Sequence, residues 1–214
     1  MEMNFIASEL DNYCLKHSTP PSPLAGELEA YTREHVSMSI MLTGPLEGTF
    51  LGMLVRLTRA TRVLEIGCYT GYSALCIAEH LPPEGRLVTL DVNLEYTAVA
   101  KRFWKQSPHG SKIELRLGEG LKLMRTLEGC FDFIFIDADK VNYTAYTQHA
   151  LRLLSPTGLI AADNALYDGQ VLEHLPNDPG ARAIKEFNGW VRDQPNLHSV
   201  LLPIRDGIHL IWRK

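Results

Sequence analysis

From residue 61 onward, short apolar runs alternate with amphipathic segments, and that alternation leaves few architectures open. Residues 62–66, 86–90, 113–117, 131–136 and 159–162 are rich in Val, Ile, Leu and Phe, while 73–80, 96–104 and 143–154 carry apolar residues at helical spacing. Nearly continuous apolar strands separated by helices belong to a parallel sheet covered on both faces. Two last runs, 198–204 and 208–212, flank Asp206-Gly207 and read as an antiparallel hairpin that finishes the sheet. The first sixty residues read as helices. Ile6, Leu10, Tyr13 and Cys14 recur at three- and four-residue steps until Pro20, Pro21 and Pro23 close the segment, a second helix begins around Pro23, and a third follows Pro45. The expected fold is therefore α/β, Rossmann-like and mostly parallel, with a helical extension over 1–60 and a core over 61–214. No repeat, low-complexity tract or linker marks a boundary, so one domain spans 1–214.

Composition narrows the function classes. At 214 residues, 45% hydrophobic and 21% charged, the chain has the balance of a globular protein. No apolar run is expected to reach the roughly 18 residues of a membrane span. The opening MEMNFIASEL carries Glu2 and Glu9 and lacks the basic start of a secretory signal, which makes the cytoplasm the expected location. A net charge of −4 has the wrong sign for a protein held by nucleic-acid phosphates. Cys14, Cys68, Cys76 and Cys130 form no CxxC and too few pairs for a disulfide framework, and are expected to be reduced.

Two constellations carry chemistry. The first is VLEIGCYTGYS, in which a strand passes through Gly67 and Gly71 into a helix. A dinucleotide fingerprint needs GxGxxG; here the spacing is GxxxG and Tyr69 stands where the pyrophosphate needs a glycine, which disfavours such a ligand. Asp91, at the end of the second strand, is placed to accept both hydroxyls of a ribose. A ribose without a pyrophosphate points to S-adenosylmethionine, with Glu65 available for its amino-acid end. The plainer alternative is that two glycines and an aspartate serve tight turns. The second constellation is FDFIFIDADK, an apolar strand ending in Asp137, Asp139 and Lys140, followed by a strand ending in Asp163 and Asn164. Asp137, Asp163 and the Asn164 amide oxygen form a hard-oxygen set suited to Mg²⁺. The alternative makes them helix N-caps. Residues 164–180, with Tyr167 and Asp168, are long for a strand-to-helix connection and read as a substrate loop. The eight histidines form no HExxH pair, and neither a GxSxG elbow nor a Walker loop occurs.

Together, MLTGPLEGTFL, LEIGCYTGYSAL, LDVN, FDFIFIDADKVNY, AADNALYDGQV and DGIHL resemble the metal- and S-adenosylmethionine-dependent O-methyltransferases of the catechol and caffeoyl-CoA type. The resemblance runs from about Met41 to the C-terminus; the first forty residues match nothing in it. It implies a seven-stranded mixed sheet, usually in a homodimer. It places metal ligands (Mg²⁺, or Mn²⁺ or Ca²⁺) on Asp137, Asp163 and Asn164 and a general base on Lys140. It places cofactor contacts on Met41, Thr43, Glu65, Gly67, Tyr69, Ser73, Asp91, Gly120 and Asp139. Plant members carry Trp and Asn where this chain has Tyr167 and Asp168, the expected substrate contacts. The implied reaction moves a methyl group to one hydroxyl of a metal-chelated vicinal aromatic diol. A phenol of pKa near 10 is only about one part in a thousand ionised at pH 7, a deficit of roughly 4 kcal/mol, and a dication can supply that much. Lys140 must have its pKa lowered before it can take the proton. Three rivals are weighed against it. A nucleic-acid methyltransferase conflicts with the charge and with Asp137-Ala138-Asp139, where an Asn/Asp-Pro-Pro-aromatic run would stand. A nicotinamide oxidoreductase conflicts with Tyr69, and a non-catalytic cofactor-binding module leaves Lys140 and the metal set without a purpose.

Overall fold

The computed structural model describes residues 6–214; residues 1–5, with Glu2 and the start of the expected helical extension, lie outside the described residues. Seven strands, β1 (Arg62–Ile66), β2 (Arg86–Asp91), β3 (Ile113–Leu117), β4 (Phe131–Ile136), β5 (Leu154–Ala162), β6 (Leu197–Leu202) and β7 (Ile208–Arg213), make one sheet in the order β3-β2-β1-β4-β5-β7-β6. Strands β1 to β5 are mutually parallel, and β7 runs antiparallel to both β5 and β6. The hairpin is present, but the last strand inserts between β5 and β6 rather than closing the edge. Burial explains the order: Ile208, His209, Leu210 and Ile211 are all buried, whereas β6 leaves Val200 and Leu201 exposed and suits the edge.

Alternation along the central strands builds two cores. Val63, Phe133 and Phe135 point to one face, against Leu51 and Val55 of α3 (Pro45–Leu57) and Leu75 of α4 (Tyr72–His80). Leu64, Ile66, Ile134 and Ile136 point to the other, against Tyr143 of α7 (Tyr143–Leu153) and Ile184 and Phe187 of α8 (Pro179–Arg192). Each fully buried side chain of this size contributes about 1.5–3 kcal/mol. The remaining helices are α1 (Ser8–Lys16), α2 (Pro23–His35), α5 (Leu94–Trp104) and α6 (Gly120–Met124). Their starts follow local chemistry. Proline opens α2, α3 and α8, the Ser22 hydroxyl accepts from Ala25 N at 3.2 Å, and the Asn93 side chain accepts from Glu95 N and Tyr96 N to cap α5.

One expectation is corrected. The stretch Ser39–Leu57 is, by length and a mean hydropathy of 1.2, apolar enough to cross a membrane, contrary to the reading of the apolar runs. Half of it is buried inside the fold, where it acts as a core element. Gly48 and Gly52 let α3 close onto α4; a Cβ on Gly48 would lie 2.9 Å from the Cys76 sulfur, and one on Gly52 would strike the His80 ring. The helix expected from Ile6, Leu10, Tyr13 and Cys14 forms as α1, but it buries none of its residues, and Ile6 precedes it.

Candidate active site

The five parallel strands bring their carboxyl ends to one edge. The connections reverse direction between β1 and β4, the position at which open α/β sheets bind ligands. One cavity of about 590 Å³ opens there. Gly67, Tyr69 and Ser73 reach it from the β1–α4 turn, Asp91 from β2, Gly120 from the start of α6, and Asp137, Asp139 and Lys140 from the end of β4. Asp163 and Asn164 follow from β5, Tyr167 and Asp168 from the next loop, and Met41 and Thr43 from the segment before α3. Of the expected site residues only Glu65 does not line it. Glu65 lies fully buried behind the wall, where its carboxylate accepts from Ser73 Oγ at 2.6 Å and Thr89 Oγ1 at 2.5 Å. Burial pushes its pKa up to about 8 against the pull of those two hydroxyls.

The β1–α4 turn depends on backbone that glycine favours. Gly67 has φ 97° and Gly71 φ 82°, while Tyr69 adopts the left-handed region at φ 50°. Asp91 serves this turn directly: Oδ2 accepts from Cys68 N at 2.9 Å and Tyr69 N at 2.8 Å, and Oδ1 from Asn93 N at 2.7 Å. The turn role and the ligand role are compatible, because a carboxylate offers about four lone-pair sites. The Tyr69 ring meets Tyr96 edge-on at 4.8 Å, and both hydroxyls reach Ser37, tying the chain before α3 across the mouth. Tyr96 and Ser37 went unnoticed in the sequence; the aromatic one turn into α5 was the available signal.

The inner end of the cavity is charged. Lys140 Nζ donates to Asp137 Oδ1 at 2.9 Å and to the Tyr143 hydroxyl at 2.9 Å. Burial alone would lower the Lys140 pKa, but Asp137, Tyr143 and Asp163 outweigh it and raise it, the opposite of the direction a base requires. Asp163 is 3% exposed, and burial followed by Asp137 raises it to about 7. Among the described residues the only hydrogen bond to its carboxylate comes from the adjoining Asn164 N, at 2.6 Å. Neither Asp137 nor Asp163 caps a helix, and Asp139 precedes the turn 140–142 without a side-chain cap bond, so the capping alternative fails. Asp139 is instead held by Tyr146, whose hydroxyl donates at 2.5 Å, and by the Asn142 amide.

No group of three or more His, Cys, Asp or Glu side chains among the described residues is arranged to hold a metal. The donors at hand are two carboxylates and an amide, and they fit a hard divalent cation. Asp206 Oδ2 accepts from Asn164 Nδ2 at 3.1 Å, which leaves the amide oxygen as the free donor, and a buried carboxylate without a side-chain partner is costly unless a cation joins it. Glu47 lies behind this set, and its partner Arg205 lines the cavity; neither stands out in the sequence. Glu47 is fully buried in α3, its Oε2 receives Arg205 Nη1 at 3.1 Å, and its Oε1 has no partner. Burial, followed by Asp163, raises the Glu47 pKa well above the carboxylate range.

An acidic residue at the end of β2, a GxxxG turn after β1 and a charged corner after β4, on a sheet of this order, are the layout of a class I S-adenosylmethionine-dependent methyltransferase. A profile of the O-methyltransferase family matches residues 15–214. A probable caffeoyl-CoA O-methyltransferase of Dictyostelium discoideum is 36% identical over 208 residues, covering 94% of this chain and 90% of the relative. A catechol O-methyltransferase of Niastella koreensis is 39% identical over 158 residues, 72% of each chain. The crystal structure of an SAH-bound methyltransferase of Podospora anserina superposes with a TM-score of 0.89 at 29% identity, covering 96% of this chain and 94% of the other. The chain belongs to the O-methyltransferase family. The match begins at residue 15, well before Met41, so the segment read as unmatched is largely part of the family.

Proposed function

We propose that the protein transfers a methyl group from S-adenosylmethionine to one hydroxyl of a vicinal aromatic diol, with a divalent cation such as Mg²⁺ held by Asp137, Asp163 and Asn164. The carrying observation is the meeting of the buried Asp163, Asp137, the Asn164 amide and Lys140 at the inner end of the one cavity that also gathers Gly67, Tyr69 and Asp91. The names of the relatives, caffeoyl-CoA and catechol O-methyltransferases, support the acceptor class. Met41, Thr43, Gly67, Tyr69, Ser73, Asp91, Gly120 and Asp139 take the cofactor, and Glu65 acts through Ser73. A divalent cation supplies Lewis-acid chemistry that lowers the pKa of an acceptor hydroxyl.

Lys140 is the base in this reading. Its ammonium is paired with Asp137 and must leave that pair and lose a proton before it can accept one from the acceptor. Tyr143, whose hydroxyl reaches the Ile136 carbonyl at 3.3 Å, keeps the amine at the end of β4 during the exchange. Tyr167 and Asp168 face the acceptor. Holding sulfur, methyl and oxygen in line removes a further share of the barrier, for which positioning can supply roughly 7–11 kcal/mol. The test is turnover of labelled S-adenosylmethionine with catechols, caffeoyl-CoA and flavonoids, after chelation and after return of Mg²⁺. Methyl transfer to a diol that stops on chelation and resumes with metal is expected. Undiminished turnover after exhaustive chelation, or in Asp163→Ala, would reduce the acidic set to a structural role.

A further inference from the structure

We infer that the acceptor is a compact vicinal diol without phosphate groups, and not a coenzyme A thioester; the inference rests on the diol reading above. The cations of the cavity wall carry it. Only Lys140 and Arg205 among the lining residues are cationic, and both are engaged: Lys140 by Asp137, and Arg205 by Glu47 and the Thr43 carbonyl. The loop that leads from the site to α8 is no different. Arg182 donates to the Pro176 and Asn177 carbonyls, each at 2.8 Å, and Lys185 to the Glu173 carbonyl. Residues 1–5, Met-Glu-Met-Asn-Phe, contain no Lys or Arg side chain.

Anionic groups, by contrast, face the cavity. Asp206 accepts from Asp168 N at 2.7 Å and from the Asn164 side chain, which sets the carboxylates of Asp206 and Asp168 on one wall. A divalent ion held by Asp137 and Asp163 would offset those two; of the four lining carboxylates that remain, Asp91 and Asp139 are bonded on the cofactor side, which leaves Asp168 and Asp206 on this wall. A thioester would bring a phosphomonoester of about −1.5 to −2 charge, besides its pyrophosphate, to a wall whose single ammonium and single guanidinium, the groups that recognise phosphate, are already bonded to Asp137 and, through Nη1, to Glu47 and Thr43. The loop instead exposes Leu172 and Leu175, at 86% and 76%. The cavity of about 590 Å³ must hold the nucleoside cofactor as well, which leaves room for a small acceptor.

The test compares two acceptors with one aryl group, caffeic acid methyl ester and caffeoyl-CoA, together with catechol itself, on the full chain with S-adenosylmethionine and Mg²⁺. At low salt, kcat/KM for the ester is expected to exceed that for the thioester by about 10- to 10³-fold, the range over which a charged cleft alters encounter. The gap narrows as ionic strength rises, through screening. Equal or faster turnover of the thioester at low salt overturns the inference and leaves the diol reading intact. Methyl transfer to none of the three overturns both.

Discussion

Replacing Glu65 by Gln isolates one buried titration from all others in the fold. The Glu65 carboxyl is fully buried, and its pKa rises from an ordinary 4.5 to about 8, chiefly by burial, with the Ser73 and Thr89 hydroxyls pulling it down and Asp137 and Asp91 pushing it up. A carboxyl whose folded pKa exceeds its unfolded one holds an extra proton in the folded state between those two values. Stability from this group is therefore present below about pH 4.5 and lost as pH climbs through about 8. Each pH unit inside the window is worth about 1.4 kcal/mol, and the integral from about pH 5 to about pH 9 is on the order of 4 kcal/mol. Gln keeps the shape and can bond both hydroxyls, but has no proton to bind. Asp163 and Glu47, also raised by burial, titrate in both proteins and cancel in the difference. Urea unfolding of wild type and Glu65→Gln at several pH values measures that difference directly. Wild type should lose ground to the variant steadily as pH rises, by a few kcal/mol over the range. A stability difference that is the same at both ends would refute the buried-acid reasoning.

Asp91→Ala should weaken S-adenosylmethionine binding in calorimetry and loosen the turn that Asp91 braces at Cys68 and Tyr69, while Asp91→Asn, which retains an acceptor, should lose less; an unchanged affinity in both would remove Asp91 from the cofactor site. Lys140→Ala should lower kcat by about 10²–10⁴ with cofactor affinity nearly intact, and Lys140→Arg should not restore it, because a guanidinium stays protonated. Near-normal turnover in the Ala variant, with the wild-type pH profile, would make Lys140 a bystander. Gly67→Ala should cost about 2–4 kcal/mol, since its φ of 97° disfavours a side chain and a Cβ there would collide with the Asp137 carbonyl. An unshifted melting temperature would contradict that packing.

That collision shows where pattern reading stops. Gly67 is legible as a glycine at a strand end, which by itself fits a ligand turn and a plain tight turn equally. In the structure the backbone of Asp137, on the neighbouring strand, occupies the space a Cβ would need, so the turn after β1 and the acidic end of β4 fix each other. The strands themselves were readable because burial on both faces forces unbroken Val, Ile, Leu and Phe runs. The start of β5 was not, since Pro156 and Gly158 read as punctuation and the pairing with β4 shifts register between Phe131 and Phe133. The place of β7 between β5 and β6 depends on a choice of partners that no local pattern encodes. Glu47 left a trace that went unused. A carboxylate inside the run Leu46 to Val55, on a helix bound for the core, has to meet a cation somewhere in the chain. Its cation, Arg205, lies in the turn between β6 and β7, and the next residue, Asp206, was read only as the first half of an Asp-Gly turn. Asp206 makes that turn and also holds the Asn164 amide and the Asp168 backbone. Local spacing reveals the first task. The second exists only once the hairpin has folded back against β5, so the residue that shapes the acceptor wall is legible as turn chemistry alone.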